Sequence, residues 1–181
     1  MVTVRRIRAD EGPLLRDLRL RALADAPEAF GQALQDAQAQ PDAEWTQAAR
    51  QASGGDSRIW LIAEADAGGT DTDEDAATDA RRPIGLVQGR RRPPDTLLIF
   101  SMWVDPAARR QGIGRVLVDE ATAWGRSWGA TRALLWVFAV NEPATRFYER
   151  LGFTAELEGE DAASGHAYGA VAMSRPIEVA G

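Results

Sequence analysis

Apolar and polar positions along this chain change period several times, and each change marks an element. Val2–Arg8 alternates as a half-buried strand does. Leu14, Leu15, Leu18, Ala22 and Leu23 then recur at the spacing of one helical face, with Asp10 as expected N-cap and Pro27 beyond the end. A second short helix is expected after Pro41, over Asp42–Gln51. Arg58–Ala65 and Pro83–Arg91 predict two strands of a hairpin with an enlarged turn. Pro93-Pro94-Asp95 leads into a strand over Thr96–Val104 that breaks at Asp105-Pro106. From Ile113, the residues Val116, Leu117, Ala121, Trp124 and Trp128 hold one helical face, which predicts a helix over Gly112–Trp128. A strand over Arg132–Val140 and a helix over Asn141–Leu151 follow. Strands over Phe153–Glu158 and Ala167–Ser174, around a polar loop, close the chain. With 181 residues, no repeats and no internal linker, residues 1–181 read as one domain of mixed α/β (α+β) class.

Composition narrows the chemistry. There is no cysteine and no lysine, and His166 is the single histidine. Disulfides, thiolate nucleophiles, Schiff bases and a histidine-dependent triad are thereby excluded or disfavoured, and no metal site is expected. Catalysis has to use carboxylates, tyrosine, backbone groups and a cosubstrate. The net charge of −6 is local. Asp66, Asp71, Asp73, Glu74, Asp75 and Asp79 crowd into residues 66–80 without a base, and the other 21 acids balance 21 arginines. That acidic, Gly/Thr-rich stretch predicts a mobile loop, and it lacks the central glycine and closing glutamate of a calcium loop. No apolar run has the length of a membrane span and no signal-peptide core is present, so a cytoplasmic protein is expected. Neither a nucleic-acid nor a membrane partner is anticipated.

The stretch that organises the chain runs from Met102 to Phe153. Arg109-Arg110-Gln111-Gly112-Ile113-Gly114-Arg115 opens the central helix. The first N–H groups of a helix lack intrahelical partners, and the aligned peptide dipoles favour negative charge there. Glycines let an anion reach the backbone, and flanking arginines add charge. A diphosphate is the ligand this suggests, although a glycine pair also suits a plain strand-to-helix turn. The Walker pattern is excluded, because Gly114 is followed by Arg115-Val116. The dinucleotide fingerprint is excluded too, since position 117 is leucine and the next strand carries no acid.

Arg109-x-x-Gly112-x-Gly114, with its Val104-x-Pro106 lead-in, resembles the acetyl-CoA signature of the GCN5-related N-acetyltransferases (GNAT). Asn141-x-x-Ala144-x-x-Phe147-Tyr148-x-x-x-Gly152-Phe153 resembles the later motif of that family. The likeness is concentrated between about residues 84 and 158. The segment LRLRALADAPEAFG also looks like the opening of many members with unassigned substrates. The resemblance implies a mixed, mostly antiparallel twisted sheet of about seven strands with four helices, split between the fourth and fifth strands. It implies acetyl-CoA as cosubstrate, no metal, and direct transfer to a primary amine. The diphosphate would lie on the backbone of Arg110, Gln111, Gly112, Ile113, Gly114 and Arg115, with the Arg109, Arg110 and Arg115 side chains beside it. A bulged strand would offer N–H groups of Met102 or Trp103, and of Val104, to the acetyl carbonyl and pantetheine arm. Asn141 and Ala144 would flank that arm, and the Tyr148 hydroxyl would protonate the departing thiolate. Asn141 also reads as an N-cap, Tyr148 as a core residue, and Trp103, Trp136, Phe147 and Phe153 as packing or cleft wall.

The expected acceptor is a small-molecule amine, in a pocket walled by Leu18–Phe30, Trp45 and the loop near His166. Acetylation of a protein N-terminus or lysine, or a silent CoA-binding sensor, are the alternatives, and homodimer formation is left open by the resemblance. The general base is unassigned. Leu97–Val104 has no acid and Asp105 lies beyond the cleft, leaving Glu64, Glu142, His166 or a water chain as candidates.

Overall fold

The near-continuous apolar run of Ile59-Trp60-Leu61-Ile62-Ala63 sets the layering, because a strand sends successive side chains to opposite faces and both faces here must be covered. Ile59, Leu61 and Ala63 join one core cluster, while Trp60 and Ile62 join the other. The computed structural model describes residues 1–66 and 81–178. The expected acidic loop therefore lies outside the described residues except for Asp66.

In chain order the elements are β1 (Val2–Arg6), α1 (Gly12–Asp25), α2 (Leu34–Ala39), α3 (Asp42–Gly54), β2 (Arg58–Asp66), β3 (Arg81–Arg92) and β4 (Thr96–Val104). Then come α4 (Ile113–Ser127), β5 (Arg132–Phe138), α5 (Glu142–Arg150), β6 (Thr154–Ala155), α6 (Glu160–Ala167) and β7 (Ala170–Pro176). Short 3-10 turns occupy Pro27–Ala29 and Pro106–Ala108. The strands form one sheet in the order β1-β2-β3-β4-β5-β7-β6, antiparallel throughout except for the parallel β4–β5 pair. Leu15, Leu18, Ala22 and Leu23 of α1 and Trp45, Ala49 and Ala52 of α3 cover one face. Ile113, Leu117, Val118 and Ala121 of α4, with Tyr148 of α5, cover the other.

Among the described residues there are six helices, against the four expected. α2 and α6 are the additions, and α6 fills much of the stretch read as a polar loop. At the start of α1 the N-cap position belongs to Glu11, not Asp10, and its carboxylate makes no cap bond. Arg5 draws that carboxylate away through two 2.7 Å hydrogen bonds.

The feature that makes a site is the parting of β4 and β5. They pair only from Thr96 to Leu98 against Arg132 to Leu134. On its other edge β4 pairs Phe100 with Gln88 and Trp103 with Leu86, so Ser101 and Met102 together face Val87. That extra residue is a β-bulge, with Ser101 at a φ of 53°. A bulge bends its strand, and this one lies where β4 leaves β5.

Candidate active site

The strand ladder decides which backbone groups of β4 face the opening. Asp105 N donates to Ile84 O at 2.8 Å, which makes 103/86 a hydrogen-bonding pair and 104/85 a non-bonding one. The Val104 N–H and C=O therefore turn to the edge that β5 has left. Val104 O accepts there from Arg109 Nε at 3.0 Å. The Trp103 N–H turns to the β3 ladder, while the residue itself still borders the opening. Its ring is 4% exposed against the N-terminal helices, and Nε1 donates to Asp25 at 2.8 Å.

The opening holds two adjoining cavities, of about 630 and about 700 Å³. They share Ala29, Phe30, Met102, Asn141 and Ala144 as wall, so they form one trough through the split. The second cavity is lined by Val104 and by Arg109, Arg110, Gly112, Ile113, Gly114 and Arg115. Among the described residues, the N–H groups of residues 110 to 115 donate to no backbone or side-chain acceptor; the first bond of α4 runs from Val116 N to Gly112 O. Arg110 (φ 64°) and Gly112 (φ 81°) both adopt the left-handed conformation, which turns successive N–H groups toward one side and builds an anion-binding concavity. A Cβ at Gly114 would stand 3.1 Å from the tip of the Phe147 ring, which would have to give by a few tenths of an ångström, so glycine lets α4 and α5 pack closely here. Gln111 completes the turn but does not line the cavity.

The arginines are not equivalent. Arg109, expected beside the diphosphate, is bound to Val104 O and to the Asp25 carboxylate. Arg115 stands 3.5 Å from Asp119. Arg110 is exposed and makes no ion pair among the described residues.

On the α5 side, Asn141 caps the helix by accepting from Ala144 N at 3.2 Å, so the cap reading holds while the residue also lines both cavities. Tyr148 lines the first cavity and is 7% exposed. Its ring packs edge-on to Phe147 and Phe153, and its hydroxyl makes no hydrogen bond to a described residue. Burial pushes its ionisation well above the ordinary tyrosine value, so it remains a proton donor. Trp136 is cleft wall, stacked on Phe100 with Nε1 bonded to Asp161 O at 3.0 Å.

None of the named base candidates lines either cavity. Glu64 is buried in a bidentate contact with Arg5, at 2.6 and 3.0 Å, on the β1–β2 side of the sheet. Glu142 pairs with Arg146 one turn along α5. His166 is exposed on α6. Of the described carboxylates lining the trough, Asp25 and Asp161 are engaged by arginines, whereas Glu28 makes no ion pair. Glu28 sits on the Pro27–Ala29 turn beside the shared wall and carried no sequence signal beyond that proline. Arg19 of α1 was also missed. Its signal was present, because it falls on the stripe of Leu15, Leu18, Ala22 and Leu23 where an apolar residue belongs.

The family model described as acetyltransferase (GNAT) family matches residues 25–153. The chain belongs to that family. It is 37% identical over 73 residues to the mycothiol acetyltransferase of Thermomonospora curvata, covering 40% of this chain and 25% of that protein. The chain spans about a quarter of the length of the curated relatives it matches. Among solved structures, a GNAT acetyltransferase from Streptococcus pneumoniae superposes with a TM-score of 0.71 at 18% identity, over 98% of this chain and 100% of that one. The PaiA N-acetyltransferase of Thermoplasma acidophilum, solved with coenzyme A, gives 0.68 at 14% identity, over 97% and 99%. The GNAT fold is thus shared, with its open sheet and split parallel pair. Among the described residues no helix is long and apolar enough to cross a membrane.

Proposed function

We propose that this GNAT protein transfers the acetyl group of acetyl-CoA directly to the primary amine of a small molecule. The observation that carries the reading is the row of unpaired N–H groups at residues 110 to 115 opening onto the same trough as the parted strands. Backbone donors of this kind hold a diphosphate without a metal. In this reading Arg110 and Arg115 add charge at the rim, and Arg109 orients the loop by clamping Val104 O and Asp25. Met102, Asn141 and Ala144 line the passage for the pantetheine arm.

At the reacting carbonyl, the Val104 N–H is the donor free to hold the oxygen as charge develops on it; such a donor contributes about 3 kcal/mol. Tyr148 keeps its proton and delivers it to the leaving sulfur, a role that contributes about 10²–10⁴-fold. Glu28 receives the proton of the amine, directly or through water. With no cysteine in the chain, no thiol carries the acetyl group between the two substrates.

The trough favours a small acceptor over a peptide. Its first cavity, of about 630 Å³, is walled by the Phe30 and Gln32 segment on one side and α6 on the other, a volume that suits a small molecule. The test is to mix protein, acetyl-CoA and a panel of primary amines and to follow free thiol together with acetylated product. Release that depends on a small amine supports the proposal. Coenzyme binding with no release from any amine would favour the silent sensor, and release only with peptides would favour a protein acceptor.

A further inference from the structure

The acceptor-side cavity has a charge that the transfer reaction does not use. Arg19 is 6% exposed and lines that cavity, together with Phe30 and Gln32. Its Nη2 donates to Gln32 Oε1 at 2.9 Å, and its guanidinium lies 5.0 Å from the centre of the Phe30 ring. Its Nη1 is buried without a hydrogen-bond partner, and among the described residues no carboxylate pairs with it. A ring face and a neutral amide oxygen do not balance a buried full charge, which is costly unless it is paired. Burial without a counter-charge pushes the guanidinium down to about 10.

The other charges of the cavity cancel. Asp161 accepts from Arg92 at 2.8 and 3.1 Å and from Arg132 at 3.1 Å, and Arg132 also holds Glu156. An acceptor carrying only an ammonium group would therefore enter a cavity with an unmatched positive charge. Arg19 is absent from the wall around residues 110 to 115, so the coenzyme phosphates are not its partner. One guanidinium balances the single charge of a carboxylate, and its planar fork matches the two carboxylate oxygens as it would those of a phosphate.

We infer that the acceptor is an amino carboxylate, its carboxylate seated on Arg19 and its amine directed to the split between β4 and β5. The inference rests on the acetyl-transfer reading above. It is tested with matched sets of acceptors: an amino acid, the amine left by removing its carboxylate, its methyl ester and the corresponding aminophosphonate. Thiol release from acetyl-CoA is measured for each set. At least one amino carboxylate should exceed its amine and its ester by about 100-fold in kcat/KM, because a site built for a polar group rejects the analogue lacking it. In Arg19→Gln that preference should fall below about 5-fold, chiefly through KM, with the acetyl-CoA Kd unchanged. Should the variant not fold, the wild-type comparison decides alone. Amines or esters used as well as carboxylates would overturn the inference and leave acetyl transfer standing, and preference for the phosphonate would overturn the carboxylate. A preference that survives in Arg19→Gln would overturn the role of Arg19. No release from any acceptor would remove the transfer reading and this inference with it.

Discussion

Tyr148 is a packing residue to which the proposed reaction also gives chemistry. Its ring is held between Phe147 and Phe153, while its hydroxyl faces the cavity without a fixed partner. Removing that oxygen leaves no buried group unpaired, so Tyr148→Phe should lower kcat by about 10²–10⁴ with the acetyl-CoA Kd unchanged. Steady-state kinetics beside calorimetric titration checks this, and equal loss of turnover and affinity would make Tyr148 a packing residue. Glu28→Gln should lower kcat/KM by about 10²-fold at neutral pH, again without loss of coenzyme affinity, and the deficit should shrink as the pH approaches the pKa of the acceptor amine. A pH–rate profile that matches wild type would remove Glu28 from the reaction. Motif residues such as Gly112 and Asn141 were legible in the sequence because local backbone demands dictate them. Arg19 and Glu28 were not singled out, since their meaning depends on what the fold places opposite them. Arg109 shows the same limit, because its guanidinium is claimed by Asp25, a residue 84 positions away.

Elements with a strong period were readable, and those built from small residues were not. α4 carries a clear apolar face, and its observed span of Ile113–Ser127 differs from the expected one by a residue at each end. α6 has the sequence E-D-A-A-S-G-H-A and buries only Ala162 and Gly165, so no apolar period announces it. β5 stops at Phe138, ahead of the expected Val140, because Asn141 N already folds back onto Phe138 O at 2.8 Å. β6 shrinks to Thr154–Ala155, pairing only with Ser174 and Met173 of β7. At α5 the cap is specific enough to test. Asn141→Ala leaves Ala144 N without its side-chain acceptor and should cost about 1 kcal/mol in urea unfolding. A loss within a few tenths would show that the bond from Ala144 N to the Asn141 backbone oxygen, at 3.1 Å, satisfies the donor alone.

Across the whole molecule, the opening in the sheet has to be held while most of the sheet is zipped. Asp161 braces the end where β4 and β5 stay paired, reaching from α6 to Arg92 on β3 and Arg132 on β5, the two residues that flank Thr96. The hydrogen bonds from Arg92, and then the charge of Arg132, hold its carboxyl below the ordinary aspartate value. A carboxylate with a depressed folded-state value stabilises the fold fully above its unfolded value, near 3.9, and loses that contribution as pH falls through the folded one. Asp161→Asn should therefore be less stable than wild type by about 1–3 kcal/mol at pH 7, with the gap closing below about pH 4. Denaturant titrations at pH 7, 5 and 3 check the sign, and a gap that is constant with pH would assign the loss to packing.

The most direct test of the central claim is a ¹⁵N amide titration with coenzyme A. The N–H signals of residues 110 to 115 should move most, with that of Val104, and should become protected from solvent exchange. Saturable binding that leaves those amides unmoved would contradict it.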